Sequence, residues 1–395
     1  MNVIFFDDKK RVEFLPLVYT KPIAKLRIGI LTIEEKWQAY FKEQEKNITI
    51  SYITEDYLSD KFSLKTETEN IFINSRFLPN KKLVDFIANN LINDEAFYED
   101  GFLVAAKCNL EQFQNSSYYI KDTNESFVSI ELNSITDLFS KNEVALLDDF
   151  NLITKGRESQ PLSQTNTLIG DNIFVEEGAK VEAVILNSTT GPIYIGKNAE
   201  VMEGSIVRGG LALCEGAVLK LGAKIYGATT IGKYSKVGGE VNNAVIQDFS
   251  NKGHDGFLGN SVVGEWCNLG ADTNTSNLKN NYSEVKKWNY SEEKLTNSGL
   301  QFCGLIMGDH SKCGINTMFN TGTTVGVSAN VFDSGFPPKF VPSFAWGGKQ
   351  GFDTYKLEKM VEVAKVVMAR RNIELTETDQ QILTAIFEQT AKYRK

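Results

Sequence analysis

The sequence predicts two architectures in series: an α/β domain over residues 1–155, then a parallel β-helix over 156–335 closed by a strap segment and C-terminal helices over 336–395. Three observations predict this. Ile195, Val201, Val207, Leu213, Leu219, Ile225, Ile231 and Val237 are aliphatic and lie six residues apart, each followed four residues later by a mostly small side chain, Ala199 to Val241. Helical faces recur every 3.6 residues and strand faces every 2, so a period of six requires a chain that makes a flat strand, turns and repeats. Three sides to a coil return the chain to its starting corner after about 18 residues, with aliphatic residues stacked inward. Before residue 155 this period is absent and short apolar runs alternate with helical patterns. After 353 two amphipathic stretches close the chain.

In chain order, Val3–Phe6 reads as a first strand, stopped by Asp7 and Asp8. Arg11, Lys21, Lys25 and Arg27 follow it within 17 residues, and cations placed after the first strand of an α/β domain suit phosphate binding. No Gly-rich turn accompanies them, so a solvated basic edge is the competing reading. Thr32-x-x-Glu35 is a capping box opening a helix, Asn80 opens another, and Ile71–Ile73 and Phe102–Ala106 are strands. The six-residue phase is expected at Ile169, Val175 and Val181, and again at Met307, Cys313, Phe319, Val325 and Val331. It breaks at 187–194, around 243–262 and over 276–305, the last an Asn- and Lys-rich loop of the kind that serves a site. Gly335–Gly348 is the strap. The final helices are placed at 353–371 and 378–392, the second opened by Thr378-x-x-Gln381, where they would cap the last coil.

Fifty acidic against 42 basic residues leave a net charge of −8, with no basic run longer than Lys9-Lys10-Arg11. Nucleic-acid and anionic-membrane partners are thereby disfavoured, and small molecules favoured. Five scattered cysteines without a C-x-x-C pair argue against a disulfide framework and a zinc site, and fit a reducing cytoplasm. No apolar run is long enough for a membrane span, and no export signal is visible.

The only histidines are His254 and His310. His254 sits in the Gly-flanked break Asn251-Lys-Gly-His-Asp-Gly-Phe257, where a side chain can project from the coil and an imidazole can serve as general base; a turn histidine bonding its own loop is the alternative. His310 keeps the coil phase and reads as an exposed coil residue. Glu240 lies 14 residues upstream of His254, within reach of fixing the imidazole tautomer if the break folds suitably, and otherwise a solvated acid. Asn268 and Asn277 are polar contacts for a substrate or members of a corner ladder.

The repeats, Gly239-Glu240-Val-Asn-Asn, Gly253-His254 and Gly264-x-x-x-Asn268-Leu-Gly-Ala-x-Thr resemble the acetyltransferase half of the bifunctional N-acetylglucosamine-1-phosphate uridyltransferase/glucosamine-1-phosphate acetyltransferases. With the Leu15-Pro-Leu-x-x-x-Lys21-Pro start, the whole chain looks like the variant sugar-phosphate nucleotidyltransferases of Bacteroidetes-type bacteria. The resemblance implies a left-handed coil, a homotrimer with sites between subunits, and acetyl-CoA as co-substrate. His254 would take a proton from a sugar amine, Glu240 would be its acidic partner, and Asn268 and Asn277 would contact the sugar. Where the family has a lysine this chain has Asn242, and where it has a tyrosine, Phe257, so the acceptor need not be glucosamine 1-phosphate. The Gly-x-Gly-Thr-Arg loop is missing, with Arg11 its one remnant, which makes the first domain a degenerate nucleotidyltransferase. Nucleotidyl transfer there would require a nucleoside triphosphate with Mg2+. Two other classes compete: a zinc hydratase on the same coil, which two histidines 56 residues apart serve poorly, and a non-catalytic sensor or scaffold that binds a nucleotide sugar.

Overall fold

The structure is a computed structural model that describes residues 1–123, 127 and 129–394. The chain divides into two compact units: residues 1–14, 20–26 and 31–134 form the first, and 15–19, 27–30 and 135–395 the second.

The first unit is built on a six-stranded sheet. Asn2–Phe6 lies between Thr49–Ile53 and Asn70–Asn74, parallel to both, and Phe102–Cys108, Glu95–Glu99 and Tyr119–Ile120 extend the sheet beyond Asn70–Asn74. The helix Ile33–Glu43 starts at the Thr32/Glu35 capping box, and Lys81–Asn89 starts at Asn80, whose side chain accepts from the Leu83 N–H. Both starts follow the sequence reading, because a side-chain oxygen satisfies N–H groups that have no partner within the helix.

The second unit is a parallel β-helix built on the six-residue repeat. Its three parallel faces begin at Ile173–Val175 (face I, nine strands), Lys180–Val181 (face II, nine parallel strands and a last antiparallel one, Gly351–Thr354) and Thr167–Ile169 (face III, six strands and a further pair). Val201, Val207, Leu213, Leu219, Ile225, Ile231 and Val237 are all buried in one core, and the small residues from Ala199 to Val241 are buried at the corners. Ile169 departs from the expected phase: Leu168 pairs with Leu186 in the inward column, and Ile169 points out and is exposed.

The break around 243–262 is a shortening of coils. Ile231 stacks on Ile246 after 15 residues, and Ile246 on Val263 after 17. The 276–305 segment is an inserted hairpin, Lys286–Asn289 against Lys294–Asn297, whose Trp288 stacks on Phe340 at 3.9 Å. It packs on face I through that contact.

Two further placements differ from the sequence reading. The helix Asn142–Thr154 belongs to the coil unit, because Asn142 is fully buried, donates to the Ala228 carbonyl and accepts from Gly29 N–H and the Thr230 hydroxyl. The 336–348 segment is another coil: Phe340–Val341 and Ala345–Gly348 continue faces I and II, and Val341 and Ala345 join the core. The last helices run Leu357–Ala369 and Glu377–Gln389, and the capping box is Thr376 with Asp379, two residues earlier than expected. Arg371, just after the first of them, donates to Asn251 on face II, so this helix end lies beside the coil, while Phe387 of the second helix packs on Phe344 of the last coil and Arg394 donates to the Ser343 carbonyl.

Candidate active site

The outward column of face II runs Lys236, Asn251, Asn268, Lys312, each paired in register with the next. These side chains share a pocket of about 690 Å³ with Lys220, Arg370, Arg371, Val367 and Ile315. At one corner of the face, Tyr234, Phe249, Trp266 and His310 recur at the same turn position with φ near +60° and stack ring on ring. Phe249 and Trp266, 4.3 Å apart and nearly parallel, form that wall of the pocket. At the opposite corner, where the chain leaves face II for face III, stands His254. His310 is thus a rung of the ladder, partly covered by Trp266.

The electrostatics of this pocket are one-sided. Five cationic side chains line it and no carboxylate does. Burial, and then the charges of Arg371, Lys220 and Arg370, hold the Lys236 ammonium below its ordinary value, with Glu200 alone opposing. Arg371 is lowered by burial and by Arg370, and Lys312 by burial. Like charges gathered with so little counter-charge repel unless an anion joins them. A polyanion with a flat ring fits the cations and the aromatic wall together.

His254 is exposed on the corner Gly253–Gly256. The shortened coil makes this corner tight. A Cβ on Gly239 would lie 2.7 Å from the Asp255 Cα, and one on Gly256, at φ +112°, 2.2 Å from the Thr273 carbonyl oxygen. Only glycine lets the three coils approach so closely.

Of the residues expected to join His254, Asn268 does, on the pocket floor. Glu240 opens a strand on face III, and its carboxylate accepts from the Tyr226 hydroxyl at 2.6 Å, raising the Tyr226 pKa to about 12 chiefly by burial and then by that bond. It makes no hydrogen bond to His254 among those described. Asn277 donates to Asn260 at 2.8 Å, at the far corner of face III and outside the pocket.

The four N-terminal cations are not presented to a phosphate. Arg27 is 2% exposed and holds Asp248 with two nitrogens at 3.0 and 3.2 Å while capping the Ile30 carbonyl. Arg11 pairs with Asp7 and Glu55, each at 3.3 Å, and Lys25 with Glu34 at 2.5 Å. Lys21 is buried. The reading of these residues as phosphate ligands is corrected accordingly: Arg11, Lys25 and Arg27 are held by carboxylates, Asp7 and Glu34 near them in sequence and Glu55 and Asp248 far from them.

Asp8 and Asp7, at the carboxyl end of the first strand, are committed in the same way. Asp8 accepts from Arg76, Asn74 and the Lys10 N–H, while Asp7 accepts from Thr54 and the Ile23 N–H, and burial raises its pKa. Mg2+ needs open carboxylate oxygens. With both acids occupied, and no group of three metal-binding side chains among the described residues, this donor set does not fit it.

Residues 3–158 match the model of a family described as sugar nucleotidyl transferase. The chain resembles the bifunctional sugar-1-phosphate transferases. It is 30% identical over 160 residues to a bifunctional sugar-1-phosphate nucleotidylyltransferase/acetyltransferase of Sulfurisphaera tokodaii, covering 40% of this chain and 37% of that one. It is 34% identical over 87 residues to the bifunctional protein GlmU of Methanocaldococcus jannaschii, covering 22% and 21%. The chain therefore spans well under half the length of these relatives. A solved N-acyltransferase from Bacillus cereus, in complex with dTDP and coenzyme A, covers 54% of this chain and all of that one at 12% identity and a TM-score of 0.23. Among the described residues no helix is long and apolar enough to cross a membrane.

Sequence reasoning missed Lys220, Lys236, Lys312, Arg370, Arg371 and the aromatic wall. Lys236 and Lys312 share one phase of the repeat, immediately before an inward residue, and that phase was available. The helix that brings Arg370 and Arg371 gave no such signal.

Proposed function

We propose that the coil unit transfers an acetyl group from acetyl-CoA to the amine of a sugar 1-phosphate, in the synthesis of nucleotide sugars for cell-envelope precursors. The observation that carries this is the face II pocket, where five clustered cations and stacked aromatics meet the exposed imidazole of His254. Lys220, Lys236, Lys312, Arg370 and Arg371 would hold the phosphates of the coenzyme, and Phe249 and Trp266 its ring. An amine must lose a proton as it attacks a thioester, and His254 is placed to take that proton. Asn268 would orient the acceptor.

Face III favours a second copy of the chain. Ile185, Ile206 and Tyr226 point outward there and are 38%, 46% and 37% exposed, whereas the outward residues of face I are covered by the chain itself. A homotrimer would bring each His254 corner to a neighbour's face III, and could complete the site with Glu240 or Asn277 from another subunit. Nucleotidyl transfer in the first unit is a second reading, favoured by the family match over 3–158. The five cysteines are free and buried, which suits the cytoplasm.

The test is thiol release from acetyl-CoA with a panel of amino-sugar 1-phosphates. His254→Ala should lower kcat about 10²–10⁴-fold while leaving acetyl-CoA affinity and oligomer mass unchanged. Full turnover in that variant would place the base elsewhere. Binding of nucleotide sugars with no turnover on any acceptor would support the sensor reading instead.

A further inference from the structure

Lys252 occupies an inward position of the coil. On face II the column Val201, Leu219, Val237 meets Lys252 next, and Leu269 and Cys313 follow it. Its neighbours in the column are apolar and its side chain is 3% exposed. An aliphatic residue there would pack without the cost of desolvating an ammonium. The ammonium is held by two carbonyl oxygens, that of Gly238 on the coil below and that of His254 on its own corner, both at 2.9 Å. The acids nearest in charge are Asp255 and Asp272, with the Cys313 thiol in the same column.

We propose that Lys252 is a positioning residue for His254, fastening the imidazole-bearing corner from inside the coil to the turn beneath it. The proposal rests on His254 being the base. The corner needs such a fastening because its side chain is exposed and Gly253, which precedes it, has open space around it, unlike the closely packed Gly256. Shifting a reacting group by about 1 Å can cost as much as 100-fold in rate. One interior bond to the His254 carbonyl fixes the corner without occupying the pocket.

Lys252→Met keeps the length and the apolar column and removes both donated bonds. We expect an unchanged oligomer, a thermal midpoint equal to or above that of the parent, KM for acetyl-CoA within twofold, and kcat lowered about tenfold. Lys252→Gln, which keeps one donor, should fall between the two. In a His254→Ala background Lys252→Met should have no further effect, since it acts through the imidazole. Undiminished kcat in Lys252→Met, a loss of activity that only tracks a loss of folded protein, or failure of both variants to fold would overturn the proposal. Full turnover in His254→Ala alone would instead remove the reading beneath it.

Discussion

The first unit and the coil each gather cations in one place, and they treat the charge in opposite ways. At the carboxyl end of the first strand, Arg76 is fully buried and meets Asp8 at 2.8 Å and Glu131 at 2.7 Å. Arg11 and Lys25 have carboxylates of their own. On face II, five cations line a pocket with no carboxylate among its described lining residues, and burial, followed by the neighbouring cations, lowers the pKa values of Lys236 and Arg371. The first arrangement commits its charge to folding and leaves little for a ligand, while the second has no carboxylate among its described lining residues and, on the reading proposed above, takes an anion from outside. A count of basic residues cannot separate the two, whereas the placement of acids around them can.

The largest effect that would test this contrast is on stability. Arg76→Met leaves Asp8 and Glu131 without their common partner in a mostly buried site, and should cost about 3 kcal/mol in urea unfolding of the whole chain. The matching change on face II, Lys236→Met, removes repulsion from an exposed position and should shift stability by no more than about 0.5 kcal/mol, in the stabilising direction if at all. Equal losses at the two positions would mean that the face II cations are structural too.

That contrast also separates what was legible in the sequence from what was not. The coil was legible because a six-residue period repeats a local geometry many times, and Leu213, Leu219 and Ile225 are buried as the period requires. Capping at Thr32 and Asn80 was legible because caps act over three residues. His254 and Asn268, singled out by the break in the period and by a resemblance, line one pocket. The fates of Arg11, Lys25, Arg27 and Glu240 were not legible. Glu55, Glu34, Asp248 and Tyr226 lie 44, 9, 221 and 14 residues from them, and nothing in local spacing says which partner the fold delivers. Arg370 and Arg371 were missed for the same reason, since a helix outside the repeat carries them to face II.

A smaller effect should appear in ligand affinity. Arg370→Ser with Arg371→Ser removes two of the five cations, both from the helix end and neither from the coil core. If they hold coenzyme phosphates, the Kd for coenzyme A measured by calorimetry should rise about 10–100-fold, one tenfold step for each charge-assisted bond lost. The parent affinity should also weaken with added salt more steeply than that of the variant, because fewer charges remain to be screened. Unchanged affinity and salt dependence would make the face II cluster something other than a phosphate site, and would erase the contrast with the first unit.

The smallest effect concerns the one cation buried inside the coil. Burial lowers the Lys252 pKa from 10.5 to about 8, against the pull of Asp255, Asp272 and Cys313. The folded state therefore holds this proton less tightly than the unfolded chain does. Between about pH 8 and 10.5 the unfolded chain binds more protons at this position, so the contribution of Lys252 to stability rises with pH across that window. Below it the coil carries the full desolvation penalty, and above it the penalty is relieved. Other groups titrate in the same range, so the quantity to measure is the stability of the parent minus that of Lys252→Met, by urea unfolding at fixed temperature. That difference should increase by about 1 kcal/mol from pH 7 to pH 9. A flat difference would mean that the ammonium is as well solvated as a surface lysine, which two carbonyl oxygens and an apolar column do not allow. A falling difference would mean that the folded state holds the proton more tightly, so that the two carbonyls outweigh burial.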